Sequence, residues 1–209
     1  MQSLSIVDQM LAYRSGERRS SVAQRLPTEI MTSVGQAATD EEIAAAAAYF
    51  SSLEPHSFVR VVETQTVPLP QARGWIWRTD DGGRTEPLGE RIIETPEEFH
   101  LFERRDPDTR YIAYVPVGSV ARGAELARSW GEQSSMACTL CHGQALQGVG
   151  DVPALAGRSP SYLARQLNDF STGARGGAQS EAMRPVVNSM SNAEIVAITA
   201  YLASLPTQP

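Results

Sequence analysis

The sequence contains few cysteines and no long apolar segment. Its only cysteines are Cys138 and Cys141, three positions apart in a chain of 209 residues. One such pair cannot form the disulfide framework of a domain of this size. The longest weakly apolar run, residues 44–50, is mostly alanine and is far shorter than the roughly 18 residues of a membrane span. We therefore predict no membrane span and a local role for the two thiols.

Positive charge is also scarce, with 18 Lys and Arg residues against 24 Asp and Glu residues, a net charge of −6. A nucleic-acid-binding protein normally presents a basic face to the phosphates, so this balance argues against that class and favours basic protein partners. The apolar fraction of 42% is that of a globular protein. The first ten residues, MQSLSIVDQM, lack the basic and apolar regions of a signal peptide.

The two ends of the chain resemble each other. Three residues near the start recur 157 positions later and eight more recur 152 positions later: Gln9, Gly16, Arg18, and then Met31, Glu42, Ile43, Ala45, Ala48, Tyr49, Ser52 and Leu53. Eleven identities in order, with one gap, indicate an internal repeat. Each copy is predicted to be a helix, a loop with a methionine, and a helix that opens with a capping box. These boxes are Thr39 with Glu42 and Ser191 with Glu194.

The pattern predicts a mainly α fold in three parts. Residues 1–54 form a partial helical lobe, residues 55–118 a proline-rich connector with short strands and hairpins, and residues 119–209 a helical domain that opens with a helix over 119–130. The first copy's counterpart of residues 138–142 would precede Met1, so we expect the chain to begin inside a domain. We also expect the upstream DNA to encode a second CxxCH motif and a signal peptide.

The sequence Cys138-Thr139-Leu140-Cys141-His142 has the spacing of covalent haem attachment. Two thiols on one helical turn can reach the two vinyl groups, and the adjacent histidine then points at the iron. A CxxC pair alone is also found in thioredoxin-like sites and zinc modules. The first of these needs a strand before the motif, and the second would need ligands from the distant His56 and His100. We rank both below haem.

These motifs resemble the class I cytochromes c, in particular the bacterial type with two such domains in tandem. The resemblance rests on a methionine after the haem motif and on four segments: VARGAELA, CTLCHGQ, VPALAGRSPSYLARQLNDFSTGAR and MSNAEIVAITAYLASL. It is dense over residues 119–209, and residues 5–53 look like the back half of a second domain. The family implies one covalent haem c, with its iron, in this chain.

The resemblance assigns roles to residues around the motif. Cys138 and Cys141 would hold the porphyrin as thioethers, and His142 would be the proximal iron ligand. Pro153 matches the family's proline whose carbonyl receives the histidine's other N–H and so fixes the orientation of the ring. Gly123 and Tyr201 match the crossing of the first and last helices; ordinary core packing explains them equally well.

The second axial ligand has five candidates: Met183, Met190, Met136, His56 and His100. We favour Met183, which lies 41 residues after His142 and follows a glycine-rich segment. An apolar residue directly before the capping Ser191 is better explained by packing, which disfavours Met190. Met136 is too near the cysteines to reach the opposite side, and connector histidines are more often surface or structural residues.

Three further residues, Arg158, Tyr162 and Arg165, sit where the family places groups that hydrogen-bond the haem propionates. Simple solvation explains each of them equally well. In the first copy, Met31 has no cysteine or histidine to face. We interpret it as a packed core methionine.

Histidine and methionine together leave the iron without a vacant position, which favours outer-sphere electron transfer over oxygen or peroxide chemistry. We therefore predict a one-electron carrier rather than an enzyme, able to serve as the cytochrome subunit of a dehydrogenase or oxidase. The alternative is a haem enzyme or gas sensor with five-coordinate iron. The resemblance also implies transient redox partners and, since haem is attached outside the bacterial cytoplasm, a periplasmic location.

Overall fold

A computed structural model describes residues 3–73, 76–79, 82–129, 137–177 and 180–207. The helices of the described residues are α1 (Ser3–Ser15), α2 (Leu26–Ala37), α3 (Asp40–Ser52), α4 (Phe99–Glu103), α5 (Ser119–Arg128), α6 (Cys138–His142), α7 (Pro160–Ser171), α8 (Met183–Asn188) and α9 (Asn192–Ser204). The strands are β1 (Val59–Glu63), β2 (Thr66–Pro68), β3 (Pro70–Arg73), β4 (Ile76–Thr79), β5 (Thr85–Pro87), β6 (Ile93–Pro96) and β7 (Tyr111–Val115). The expectation of a mainly α fold is confirmed. None of the helices in these ranges has the length and apolar character that a membrane crossing requires.

The internal repeat is visible in the helix boundaries. Helices α3 and α9 are both 13 residues long and lie 152 positions apart. Both predicted capping boxes form: the hydroxyls of Thr39 and Ser191 accept from the amides of Glu42 and Glu194, at 3.2 and 3.3 Å. Each glutamate in turn accepts from the amide of its capping residue. The same local sequence therefore sets the same helix start in both copies.

The prediction that the two repeated methionines lie in loops is wrong. Met31 lies inside α2, and Met183 is the first residue of α8. Each helix carries a proline in its first turn, Pro27 and Pro185. A proline is tolerated there, because its missing N–H would have no partner within the helix and its fixed φ suits the helical backbone. Both prolines therefore suit the start of a helix rather than a loop.

Residue contacts divide the chain into two compact units. The first unit comprises Met1–Pro55, Thr139–Ala154 and Arg165–Met190, and the second comprises His56–Cys138, Leu155–Ala164 and Ser191–Pro209.

In the first unit, α1 packs against α2 and α3. Helices α1 and α2 approach closely at Gly35, where an added Cβ would lie 3.1 Å from the Met10 carbonyl oxygen. The Arg14 guanidinium, from α1, donates to the carbonyls of Gly35 at 2.9 Å and Ala38 at 2.7 Å. Carbonyl groups in the last turn of a helix lack partners within it, so Arg14 caps the end of α2.

In the second unit, α5 packs against α9. An added Cβ at Gly123 would lie 2.1 Å from the Ala197 carbonyl oxygen and 2.7 Å from Cβ of Tyr201. The helices can approach this closely only because Gly123 has no side chain. The helix crossing implied by the resemblance is therefore present. The predicted helix end near Gly131 lies outside the described residues.

The connector contributes a three-stranded sheet in the order β1-β7-β6, together with the antiparallel pairs β2–β5 and β3–β4. The expected short strands and hairpins are present. The sequence analysis missed the parallel pairing of β1 with β7, whose first residues, Val59 and Tyr111, are register partners. The sequence Asp80-Asp81-Gly82-Gly83 predicts a turn in this connector, and of its residues Asp80 and Asp81 lie outside the described residues.

Two carboxylates of the connector reach the starts of helices in the same unit. Glu63 Oε1 accepts from the amide of Val120, at the start of α5, at 2.9 Å. Glu94 Oε2 accepts from the hydroxyl of Ser159, the residue before α7, at 2.7 Å. A negative charge near a helix N-terminus is favourable, because the free N–H groups there carry partial positive charge. The connector therefore stabilises the starts of α5 and α7.

Candidate haem site

The CxxCH motif forms the short helix α6. Residues three apart lie on the same side of a helix, so the side chains of Cys138 and Cys141 share one face. Neither cysteine forms a disulfide; the side chain of Cys138 is half-buried and that of Cys141 is exposed. His142, in contrast, is only 8% exposed. One helical turn therefore presents two accessible thiols beside a buried imidazole.

The imidazole of His142 is oriented by Pro153. Its Nδ1 lies 2.8 Å from the Pro153 carbonyl oxygen. Burial lowers the pKa of His142, and the hydrogen bond to Pro153 only partly opposes this effect. The neutral ring donates Nδ1–H to the carbonyl, because a carbonyl oxygen can only accept. The lone pair of Nε2 is then available to a metal ion, the usual arrangement of a metal-binding histidine.

Gly148 shapes the loop between His142 and Pro153, a role that the sequence analysis missed. Its amide donates to the His142 carbonyl at 2.9 Å. Its φ is +85°, and an added Cβ would lie 2.6 Å from the Val152 carbonyl oxygen. Both features require glycine. The glycines in the run GVGD hinted at a tight turn, but the clash with Val152 depends on the folded path of the loop.

Met183 lies in the same compact unit as His142 and is half-buried at the start of α8. Met190 is also half-buried and directly precedes Ser191. Met136 lies outside the described residues. Met183 therefore remains our prediction for the second axial ligand.

The two connector histidines are exposed and belong to the second unit. The ring of His56 lies 4.2 Å from the ring of Phe58, between centroids. His100 Nε2 lies 3.6 Å from a carboxylate oxygen of Glu98. Among the described residues, no three His, Cys, Asp or Glu side chains converge to hold a metal ion. The described residues thus do not assemble the zinc site that was considered as an alternative.

Arg158, Tyr162 and Arg165 are all half-buried. Arg158 and Tyr162 belong to the second unit, and Arg165 belongs to the first. Ser159 caps the start of α7, because the Tyr162 amide donates to the Ser159 hydroxyl at 3.1 Å. The proposed contact of the three side chains with haem propionates remains a prediction.

The donor set as a whole fits a c-type haem. Two thiols share one helical turn, and the adjacent imidazole keeps Nε2 free because Nδ1 is committed to Pro153. Covalent attachment and axial ligation need these two features.

Comparison with known proteins gives the same assignment. The family described as Cytochrome c matches residues 120–206. Cytochrome c-554(548) of Halomonas halodenitrificans is 33% identical over 75 residues, which are 35% of this chain and 90% of that protein. The Thiosulfate dehydrogenase electron acceptor of Thiomonas intermedia is 35% identical over 101 residues, which are 46% of either chain. The match to this second relative thus spans less than half of its length.

The fold is also similar to that of solved structures. Cytochrome c4 of Acidithiobacillus ferrooxidans superposes with a TM-score of 0.61 at 21% identity, over 98% of this chain and 84% of that chain. At this level of identity the comparison concerns the fold alone.

Proposed function

Because this chain belongs to the cytochrome c family, which carries haem c, we propose that it passes one electron at a time between protein partners. The observation that carries the proposal is the buried His142, at the end of the CxxCH helix, with Nδ1 committed to the Pro153 carbonyl. A fixed, neutral imidazole beside two thiols has the orientation and protonation that an axial iron ligand needs.

In this proposal Cys138 and Cys141 would hold the haem through thioethers, and His142 and Met183 would supply the two protein ligands of its iron. Haem c supplies reversible one-electron chemistry when it is bound. Pro153 keeps the imidazole in one orientation, so the ligand need not reorganise when the charge at the site changes. A soft thioether from Met183 would favour the reduced state and would disfavour the binding of oxygen or peroxide.

Substitution of the two methionines tests the ligand set. Met183→Ala should abolish the weak far-red absorption band of a thioether-ligated ferric haem and allow the reduced protein to bind carbon monoxide rapidly. Met190→Ala, the matched control between α8 and α9, should leave both properties unchanged. A wild-type protein that already binds carbon monoxide rapidly and lacks the band would support the five-coordinate alternative, a haem enzyme or sensor.

Attachment is tested by intact mass and a pyridine haemochrome assay on protein from a host that attaches haem. We expect one haem for each chain. Replacement of both Cys138 and Cys141 by alanine should remove the covalent haem. A colourless wild-type protein with the mass of the bare polypeptide would refute the proposal.

Arg158, Tyr162 and Arg165 are proposed to hydrogen-bond the haem propionates, since a guanidinium or phenol is a suitable donor to a carboxylate. Arg165→Gln should lower the reduction potential, because a positive charge near the haem favours the reduced state. Arg128→Gln, which removes an exposed cation at the end of α5, is the control. Equal potentials for the two variants would argue against the role of Arg165.

The partners proposed are redox proteins, among them a dehydrogenase or oxidase that donates or accepts the electron. One relative of this chain is named as the electron acceptor of a thiosulfate dehydrogenase, which supports a dehydrogenase as donor.

Because the net charge of the chain is −6, its association with a basic partner should slow as ionic strength rises. Stopped-flow oxidation by basic and acidic redox proteins at two salt concentrations measures this dependence. A rate with the basic partner that does not change with salt would count against electrostatic steering.

We propose a periplasmic location and the three-part organisation 1–54, 55–118 and 119–209. Similarity to bacterial cytochromes c supports the location, and the matching helices α3 and α9 support the two cytochrome-like parts. Osmotic-shock fractionation tests the first statement. Limited proteolysis with mass analysis tests the second, with first cuts expected in the exposed segment 52–58. Cuts that fall first within 119–209 would contradict these boundaries.

A further inference from the structure

Four residues of the first unit form a hydrogen-bonded ring that joins the two copies of the repeat. Gln9 Oε1 accepts from Nη1 of Arg18 and, at 2.9 Å, from Nη2 of Arg175. Gln166 Oε1 accepts from Arg18 at 3.1 Å and from Arg175 at 2.8 Å. Each arginine thus binds both glutamines. We call these four residues the Gln–Arg ring.

The backbone around the ring repeats the same reciprocal pattern. The Arg19 amide donates to the Ala174 carbonyl at 2.7 Å, and the Gly176 amide donates to the Glu17 carbonyl at 2.7 Å. A shift of 157 positions converts one bond into the other. The two copies therefore contribute equivalent backbone hydrogen bonds to this short antiparallel bridge.

Each of the two guanidiniums lies over an aromatic ring. The Arg18 guanidinium carbon lies 4.6 Å from the Tyr13 ring centroid, and that of Arg175 lies 4.4 Å from the Phe170 centroid. Arg18 is only 9% exposed. Cation–π contacts strengthen as the cation loses water. The Gln–Arg ring is therefore a fixed element of the fold rather than a surface contact.

One further contact has no counterpart in the repeat. Asp169, only 6% exposed, accepts from the amide and the hydroxyl of Ser21 at 2.8 and 2.7 Å. Asn168 donates to the same hydroxyl at 2.7 Å. Residues 17–21 therefore bind two parts of the second copy, namely the end of α7 and residues 174–176.

The segment held in this way leads directly to Met183. Gly176 would place an added Cβ 3.0 Å from the Glu17 carbonyl oxygen, so the first copy lies tightly against it. The Gly176 carbonyl in turn accepts from the Ser180 hydroxyl at 2.6 Å. An added Cβ at Gly173 would lie 3.3 Å from the guanidinium of Arg184, the residue after Met183. The hydrogen bonds that start from the first copy thus reach Ser180, three residues before Met183.

We propose that Arg18, a residue of the first copy, is a positioning residue for Met183 of the second copy. This inference rests on the proposed role of Met183 as an axial ligand. Fixing the segment before Met183 lowers the conformational entropy lost when its thioether takes up one position. Loss of the Gln–Arg ring should therefore favour replacement of the thioether by an external ligand. The first copy would thus contribute to the haem site through its contacts with residues 166–176.

The experiment is an imidazole titration of the ferric holoprotein, followed by loss of the far-red band. Arg18→Gln should raise the apparent affinity for imidazole roughly tenfold, equivalent to about 1.4 kcal/mol. Arg19→Gln removes the same charge from the adjacent exposed position and should change the affinity less than about twofold. Gln9→Glu keeps the accepting oxygen and adds a negative charge between two guanidiniums, so it should lower the affinity.

The outcomes separate the two proposals. If Met183→Ala keeps the far-red band, Met183 is not the ligand and the proposed ligand set fails. If Met183→Ala loses the band but Arg18→Gln titrates like Arg19→Gln, only the positioning role fails. If Arg18→Gln loses its haem or does not fold, the Gln9→Glu variant tests the positioning role instead. An unchanged or raised affinity of Gln9→Glu for imidazole would overturn that role of the Gln–Arg ring.

Discussion

At the scale of single residues, the orientation of His142 depends on a loop that turns back toward it. The Pro153 carbonyl that receives Nδ1–H is eleven residues away in sequence. Gly148 brings it close, because its positive φ and missing Cβ let the backbone pass the Val152 carbonyl. The imidazole is therefore held indirectly by a residue that carries no functional group.

We predict that Gly148→Ala lowers the free energy of unfolding by about 2–4 kcal/mol, from backbone strain and the contact with Val152. Gly150 also has positive φ, +56°, but an added Cβ there has no heavy atom within 4 Å. Gly150→Ala should therefore cost only about 1–2 kcal/mol. Urea unfolding followed by circular dichroism measures both values. Equal losses of unfolding free energy in the two variants would show that the contact with the Val152 carbonyl adds no strain.

The residues of the attachment motif could be predicted from sequence, because covalent attachment requires two thiols and an imidazole at fixed, short spacing. Gly148 could not be assigned in this way. Its nearest contact, the Val152 carbonyl, is set by the path of the loop and not by any residue type.

At the scale of elements, local sequence sets where helices start, and longer-range contacts set where they pack. The capping boxes of α3 and α9 follow from a threonine or serine with a glutamate three positions later. The parallel pair β1–β7 joins strands that start 52 positions apart, Val59 and Tyr111. No spacing within either strand indicates that partner.

The capping box of α9 predicts a pH dependence. The amide and hydroxyl of Ser191 donate to the Glu194 carboxylate and lower its pKa below the usual 4.5. A lowered pKa in the folded state stabilises the protein above the unfolded pKa, and this contribution is lost as the pH falls through the folded value. The stability difference between wild type and Glu194→Gln should therefore be constant near neutral pH and shrink below about pH 4.5.

Thermal or urea unfolding across this pH range provides the measurement. Glu54→Gln, at an exposed position just beyond α3, is the control for removing one negative charge. A difference for Glu194→Gln that stays unchanged down to acidic pH would contradict the role assigned to the box.

At the scale of the whole molecule, the two copies share local structure but differ in burial. Tyr49 is 60% exposed, and its counterpart Tyr201 is 9% exposed. Phe50 is 55% exposed, whereas Leu202 at the matching position is 3% exposed. In the second copy, α5 covers this face of α9 at Gly123. Similar helices thus have different surroundings in the two copies.

The contrast predicts unequal effects of the same substitution. Tyr201→Ala should lower the free energy of unfolding by about 3–5 kcal/mol, the usual cost of truncating a buried aromatic residue. Tyr49→Ala should cost less than about 1 kcal/mol, as expected for a largely exposed side chain. Denaturant unfolding of the two variants, prepared with equal haem content, gives both values. Similar losses would show that Tyr49 is buried in solution.

The sequence by itself determined the features whose parts are neighbours along the chain: the CxxCH motif, the capping boxes, the helix of each repeat and the balance of charge. These depend on short-range geometry, which residue type and spacing specify. Only the tertiary structure decided that Arg18 meets Gln166 across 148 positions and that Tyr49 is exposed where Tyr201 is buried. Such contacts depend on the path of the whole chain, since two similar local sequences can form the same helix and still pack against different neighbours.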